Sequence, residues 1–317
     1  MSGVLSEDEN FLFILRSSLE DAASHEPSEE CLELSAAAFS GPVTNEQLLG
    51  GLRAEQWDTR ALACMLVVLV DSHHERDYGL REFRSVLDGP RQLALLSVIE
   101  GLTLVVGYIQ LDLGYSCDAE LYEELRVLLS DSSAVVRQRS AFALGVAGPN
   151  DEYTRRTLEN LITQDPLGSA VVGGLLGRTW LDDPEPVLLR AQRTDPDWRV
   201  RACASWLLGF RGGEDPIALR DTRDEVKAIG LSMSSGATAP ALIAEVQSLA
   251  RDPRSSPAIR CSAAVNLFGR EDRELSATGA AFLRQFDGDP DFAQQQRMID
   301  YFLLSVSDPG EAQHGRE

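Results

Sequence analysis

Apolar positions recur along this chain at helical spacing, and the pattern repeats. From Asp131 to Gly148 the sequence reads DSSAVVRQRSAFALGVAG, and sixty-four residues later DPDWRVRACASWLLGFRG runs from Asp195 to Gly212. In both, an Asp opens a short turn, a Val-Arg pair (Val136-Arg137, Val200-Arg201) starts a helix, and a run of apolar and small residues closes on a glycine (Gly145, Gly209). Half that step lands on SAVVGGLLGRTW, where Gly177 keeps the closing position and Ser169 replaces the Arg. A period of about 32 residues marks a stacked repeat, in which one helix pair cannot bury its apolar face alone and its neighbours complete the core.

From the start of the chain, residues 8–21 and 28–39 predict two helices. VTNEQLLGGLRAEQ then pairs with WDTRALACMLVVLVD, where Thr59-Arg60 takes the Val-Arg position, and YGLREFRSVLDGP pairs with RQLALLSVIEGLTLVVG around Arg91. The step from Arg91 to Arg137 is longer, 46 residues, and the excess falls in the irregular segment 108–118. Further pairs follow, the seventh short with Val226-Lys227 and the eighth carrying Ile259-Arg260. The expected fold class is all-α: an α-solenoid of about nine stacked antiparallel helix pairs over residues 8–306. It is expected to be a single domain spanning 1–317 and one continuous right-handed superhelix, with a polar C-terminal tail at 308–317. Trp180 is expected in a loop between repeats.

Helix pairs of this length, closing on wording such as DPDWRVRACASWLLG, resemble HEAT-like repeats of bacterial type, the short kind also found in phycobilin lyase (PBS-lyase-type) subunits. The resemblance covers roughly residues 40–305 and is strongest at 125–148, 187–212 and 245–270. It implies first helices outside and second helices lining a concave face. It implies no activity, because such solenoids mostly present surfaces.

The wording has a local physical logic. The turn Asp can accept hydrogen bonds from free N–H groups of the next helix and favours that helix's positive end. Small residues such as Ala141, Ala143, Ala202 and Ala264 let helices approach closely. The recurrent Arg is expected to meet an acid of its own or the adjacent repeat, building a structural ladder from Asp131, Arg137, Asp195, Arg201 and Arg260. Asp131 and Asp195 are the first candidate partners for Arg137 and Arg201.

Charge narrows the partners. The chain carries 29 basic and 50 acidic residues, a net of −21, which repels a phosphate backbone and steers basic molecules toward the surface. Nucleic acid is therefore not an expected partner. The acidic start MSGVLSEDEN is not that of a secretion signal, and no apolar run reaches the ~20 residues a membrane helix needs. Five scattered cysteines without a CxxC pair read as reduced core thiols, and the expected localisation is cytoplasmic.

Catalytic candidates are few. His73 and His74, in DSHHERD, could hold a cation only in a loop, since adjacent helical residues point about 100° apart. GGLLG, Gly173 to Gly177, has neither the preceding strand nor the following Lys of a phosphate loop, and reads instead as close helix contact. No metal, cofactor or catalytic residue is expected. The sharper signal is geometric: if Val136 faces the core, Phe142 points to the opposite side, and Met65, Trp206 and Val265 hold the same position in other repeats. These four are expected to wall a concave binding groove. The resulting expectation is a non-catalytic protein- or peptide-binding scaffold or adaptor with a possibly basic partner and an oligomeric state the sequence leaves open. The alternatives are a phycobilin-lyase-like or other HEAT-fold enzyme subunit, including a nucleic-acid glycosylase, against which the net charge argues.

Overall fold

The computed structural model describes residues 27–40, 43–69, 119–181, 194–210, 216–234 and 238–307, together with 189, 191 and 236. Helices account for the regular structure, and there is no strand among the described residues. In chain order the α-helices are α1 (Glu29–Ser40), α2 (Asn45–Leu52), α3 (Trp57–Leu69), α4 (Ala119–Leu128), α5 (Ala134–Ala147), α6 (Glu152–Gln164) and α7 (Gly168–Leu181). They continue as α8 (Trp198–Phe210), α9 (Asp224–Met233), α10 (Pro240–Arg251), α11 (Pro257–Phe268), α12 (Arg273–Phe286) and α13 (Gln296–Ser307). Short 3-10 turns lie at Ala218–Arg220 and Pro290–Phe292. The fold is thus all-α, an α-solenoid of paired helices, and α7 runs through Trp180, which therefore does not lie in a loop. None of these helices is long and apolar enough to cross a membrane.

Local chemistry sets the helix starts. Thr44 and Gln47 form a reciprocal capping box at α2. Asp151 accepts the Thr154 N–H at α6, and Ser256 accepts the Ile259 N–H at α11. Pro240 and Pro257 occupy first-turn positions, where the missing N–H has no helical partner anyway.

The chain forms two compact units, one within Leu12–Val187 and one within Leu188–Glu317, where a single domain is the expectation from sequence. In the first, the second helices α3, α5 and α7 pack side by side, with α2 against α4 on the outer layer. α6 exposes one side and buries Thr154, Leu158, Leu161 and Ile162 at helical spacing. α5 lies between neighbours and buries ten of its fourteen residues. Among the described residues α3 packs directly on α5. Residues 70–118, with Arg91 and the irregular segment 108–118, lie outside the described residues.

In the second unit α8 packs on α9, α9 on α11, and α11 on both α10 and α12. The short seventh repeat has a 3-10 turn as its first element. One cluster centres on Leu242, Val246, Ile259, Ala263 and Leu267, and another on Val265, Leu283, Phe286, Phe292 and Ile299.

Candidate functional site

The repeated Asp and Arg residues build one motif three times. Arg137 donates from Nε to Asp165 Oδ2 at 2.7 Å and from Nη2 to Oδ1 at 3.1 Å, while Nη1 donates to the main-chain carbonyls of Asp131 and Ser132 at 2.7 and 3.2 Å. Arg60 does the same to Asp131 at 2.7 and 3.1 Å and to the carbonyls of Ala54 and Glu55. Arg201 grips Asp221 at 2.6 and 3.0 Å and the carbonyls of Asp195 and Pro196. Each Arg thus pairs in bidentate fashion with a turn Asp of another repeat and ties down the turn of its own. Asp131 and Asp195 meet Arg137 and Arg201 through backbone oxygens, not through the carboxylates that the sequence reading nominates.

The turn Asp also folds its own loop. Asp131, Asp165, Asp195, Asp221 and Asp252 each accept, through Oδ1, the N–H two residues on, at 2.8 to 3.0 Å. This is an Asx turn just before the helix, where the expectation is a cap on the helix's own N–H groups. For Asp221, burial pushes the carboxyl up, but the Arg201 hydrogen bonds and the Arg223 N–H outweigh it and hold the group below the ordinary carboxylate range. Burial and the nearby Asp197 charge leave Asp195 above that range. In sequence, the repeat preceding Asp195 carries Ser169 where most of the others carry Arg.

Arg260 departs from the pattern. Its guanidinium lies 4.9 Å from the ring centroid of Phe286 and 5.0 Å from that of Phe292, rings that stack on each other at 4.2 Å. A cation–π contact stands where the carboxylate stands elsewhere.

Met65, Phe142, Trp206 and Val265 are all buried, none more than 4% exposed, which corrects the expectation of an exposed concave wall. The helix-wheel count separates two sides of α5 correctly, but both are internal. The side bearing Gln138, Phe142 and Gly145 meets the next second helix: a Cβ at Gly173 would stand 2.3 Å from the Gln138 carbonyl oxygen, and one at Gly177 would stand 2.2 Å from that of Ala141. GGLLG is therefore a surface for backbone contact between α5 and α7. Val265 likewise faces its own cluster with Phe286 and Phe292.

The described cysteines are inert. Burial, with Asp58 adding to it, pushes the Cys31 thiol up to about 11, and burial takes Cys64 and Cys261 to about 12. Cys117 and all four histidines, His73 and His74 among them, lie outside the described residues. Among the described residues there is no group of three side chains suited to a metal ion.

A groove of about 340 Å³ lies between α1 and α2. Its α1 wall is Glu30, Glu33, Leu34 and Ala37, and Gly50, Gly51 and Ala54 face it, with Thr59 at the inner end. Gly51 lets the walls meet, since a Cβ there would come within 2.9 Å of Leu34 Cδ2 and Ala63 Cβ, whereas a Cβ at Gly50 would have nothing within 4 Å. Below the groove, buried Asp58 receives both the N–H and the hydroxyl of Ser28, at 2.6 and 2.8 Å, anchoring the start of α1 to α3. Glu29, Glu30 and Glu33 are exposed, and none makes an ion pair or side-chain hydrogen bond with another described residue. Several acids on other helices are ion-paired: Glu120 and Glu124 with Arg53, Asp151 with Arg126, Glu159 with Arg178. Sequence reasoning passes over Glu30 and Glu33, although their spacing with Ala37, three and seven residues on from Glu30, already places them on one helix face.

Neither a family model nor a curated protein matches the chain. Among solved structures it is similar to human deoxyhypusine hydroxylase in complex with glycerol, at 14% identity and a TM-score of 0.26, over 66% of this chain and 90% of that one. At that score the likeness carries no argument about function.

Proposed function

We propose that this protein is a HEAT-like repeat scaffold that binds a basic protein or peptide without catalysing a reaction. The observation that supports it is the division of labour among charges. Arg60, Arg137 and Arg201 are spent on the architecture, each held by a carboxylate and two turn carbonyls, while the first described helix pair keeps a row of carboxylates with no described cation beside them. Unneutralised charge of one sign on a rigid surface raises the rate and specificity of encounter with the opposite sign.

The test is affinity capture with the full chain, followed by titration of each purified captured protein at two ionic strengths. Direct binding by basic proteins, weakening several-fold as salt rises from low to physiological strength, is the expected result. Captured partners that are acidic, or affinities insensitive to salt, would overturn the reading.

A further inference from the structure

The groove between α1 and α2 has a shape and a charge that specify its occupant more closely. Its floor is aliphatic and small (Leu34, Ala37, Ala54), its mouth carries Glu30 and Glu33, and no Arg or Lys is among its lining residues. Glu33 stands three residues after Glu30 and four after Glu29, the spacings at which like charges on a helix repel. First-turn acids are favourable at a helix N-terminus, which accounts for Glu29 and Glu30. It does not account for Glu33, one turn further in. A cation held between the carboxylates would relieve the repulsion. An apolar floor beneath a charged rim fits a long side chain with an aliphatic stem and a cationic head.

We infer that the groove takes an arginine or lysine side chain from a basic peptide segment of a partner protein, with the stem on Leu34, Ala37 and Ala54 and the cation between Glu30 and Glu33. The inference rests on the binding role proposed above and assigns it a site. Gly50 gives an independent handle, because it lines the groove and a Cβ there would have nothing within 4 Å.

A library of short dye-labelled peptides with a fixed central Arg, Lys, neutral citrulline or Glu is titrated against the full chain by fluorescence anisotropy. Arg and Lys peptides should bind and citrulline peptides should lose at least about tenfold in affinity. Glu30→Gln with Glu33→Gln, and separately Gly50→Met, should each weaken the Arg peptides by about tenfold or more. Melting should stay close to that of the parent, since the loss of a favourable first-turn acid at Glu30 offsets the relief of repulsion and Gly50→Met removes a helical glycine. Glu271→Gln with Glu274→Gln, which removes equal charge from exposed positions outside the groove, should change affinity less than about twofold. Arg-peptide binding that both groove variants leave intact would overturn the groove assignment while sparing the binding role. Selection of Glu or citrulline peptides over Arg would overturn the groove and the basic partner together. Failure of every peptide class to bind would count against both the site and the scaffold reading.

Discussion

Arg137 and Arg260 occupy the same position in two repeats of one sequence pattern and satisfy it with different chemistry. Arg137 holds a carboxylate of the next repeat in a two-pronged grip, with both side chains almost covered, 11% and 7% exposed. Arg260 lies against two stacked phenyl rings, those of Phe286 and Phe292. Where the position is Arg, a flat, delocalised cation lies across the junction and accepts either an anion or a π-face as partner. The two solutions differ in what they risk. A carboxylate rung carries a buried anion that becomes costly once its cation is lost, whereas an aromatic rung leaves behind only apolar rings.

The largest expected effect follows from that asymmetry. Arg137→Ala should cost about 3 kcal/mol, because Asp165 and the carbonyls of Asp131 and Ser132 all lose a donor in a largely dry site. Urea unfolding followed by circular dichroism measures it, and a loss below about 1 kcal/mol would make the rung dispensable. Arg260→Leu should cost less, about 1 kcal/mol, since one apolar stem replaces another and only the cation–π contact and a long hydrogen bond to the Ala250 carbonyl are lost. If it costs as much as Arg137→Ala, the two rungs are not different in kind.

Acid sharpens the contrast. Asp221 has its folded-state pKa held below the unfolded value, so its contribution is fully present above the ordinary carboxylate range and is lost as pH falls through the depressed value. The destabilisation caused by Arg201→Leu should therefore be large at neutral pH and shrink toward the acid limit of folding. That caused by Arg260→Leu should stay constant, because no carboxylate bonds its guanidinium among the described residues. Thermal melts of both variants against the parent across that range decide the point.

The smallest effect is a gain. Asp195 has its folded pKa raised, chiefly by burial, so ionising it costs stability above the ordinary carboxylate range, and the cost disappears at lower pH. Asp195→Asn keeps the acceptor for the Asp197 N–H and should raise the melting temperature by a degree or two at neutral pH, corresponding to some tenths of a kcal/mol. No gain at neutral pH, or a gain only in acid, would mean that Asp195 is stabilised by a cation.

Much of the fold was legible because helix periodicity, first-turn prolines and the recurrent Asp, Arg and Gly are local signals. DSSAVVRQRSAFALGVAG specifies a turn, a helix start and a close-packed helix wherever it sits, and α5 forms accordingly. The short seventh repeat and the backbone contact at GGLLG were readable for the same reason. The candidate site was less legible. Glu30 and Glu33 are two of fifty acids, and only the position of α2 opposite α1 makes a groove beside them.

Sequence by itself determined that this chain is helical, that the helices come in pairs and that an Arg and an Asp mark most junctions, because hydrogen bonds within a helix and Asx turns close over a few residues. Only the tertiary structure decided which Asp each Arg holds. Arg60 reaches Asp131, 71 residues away, because α3 packs directly on α5. It also decided that Phe142 and Trp206 are buried, since a helix wheel distinguishes two faces but not which of them meets another helix. Partner choice and burial depend on which elements become neighbours in space, and that is a property of the packed stack, not of any one repeat.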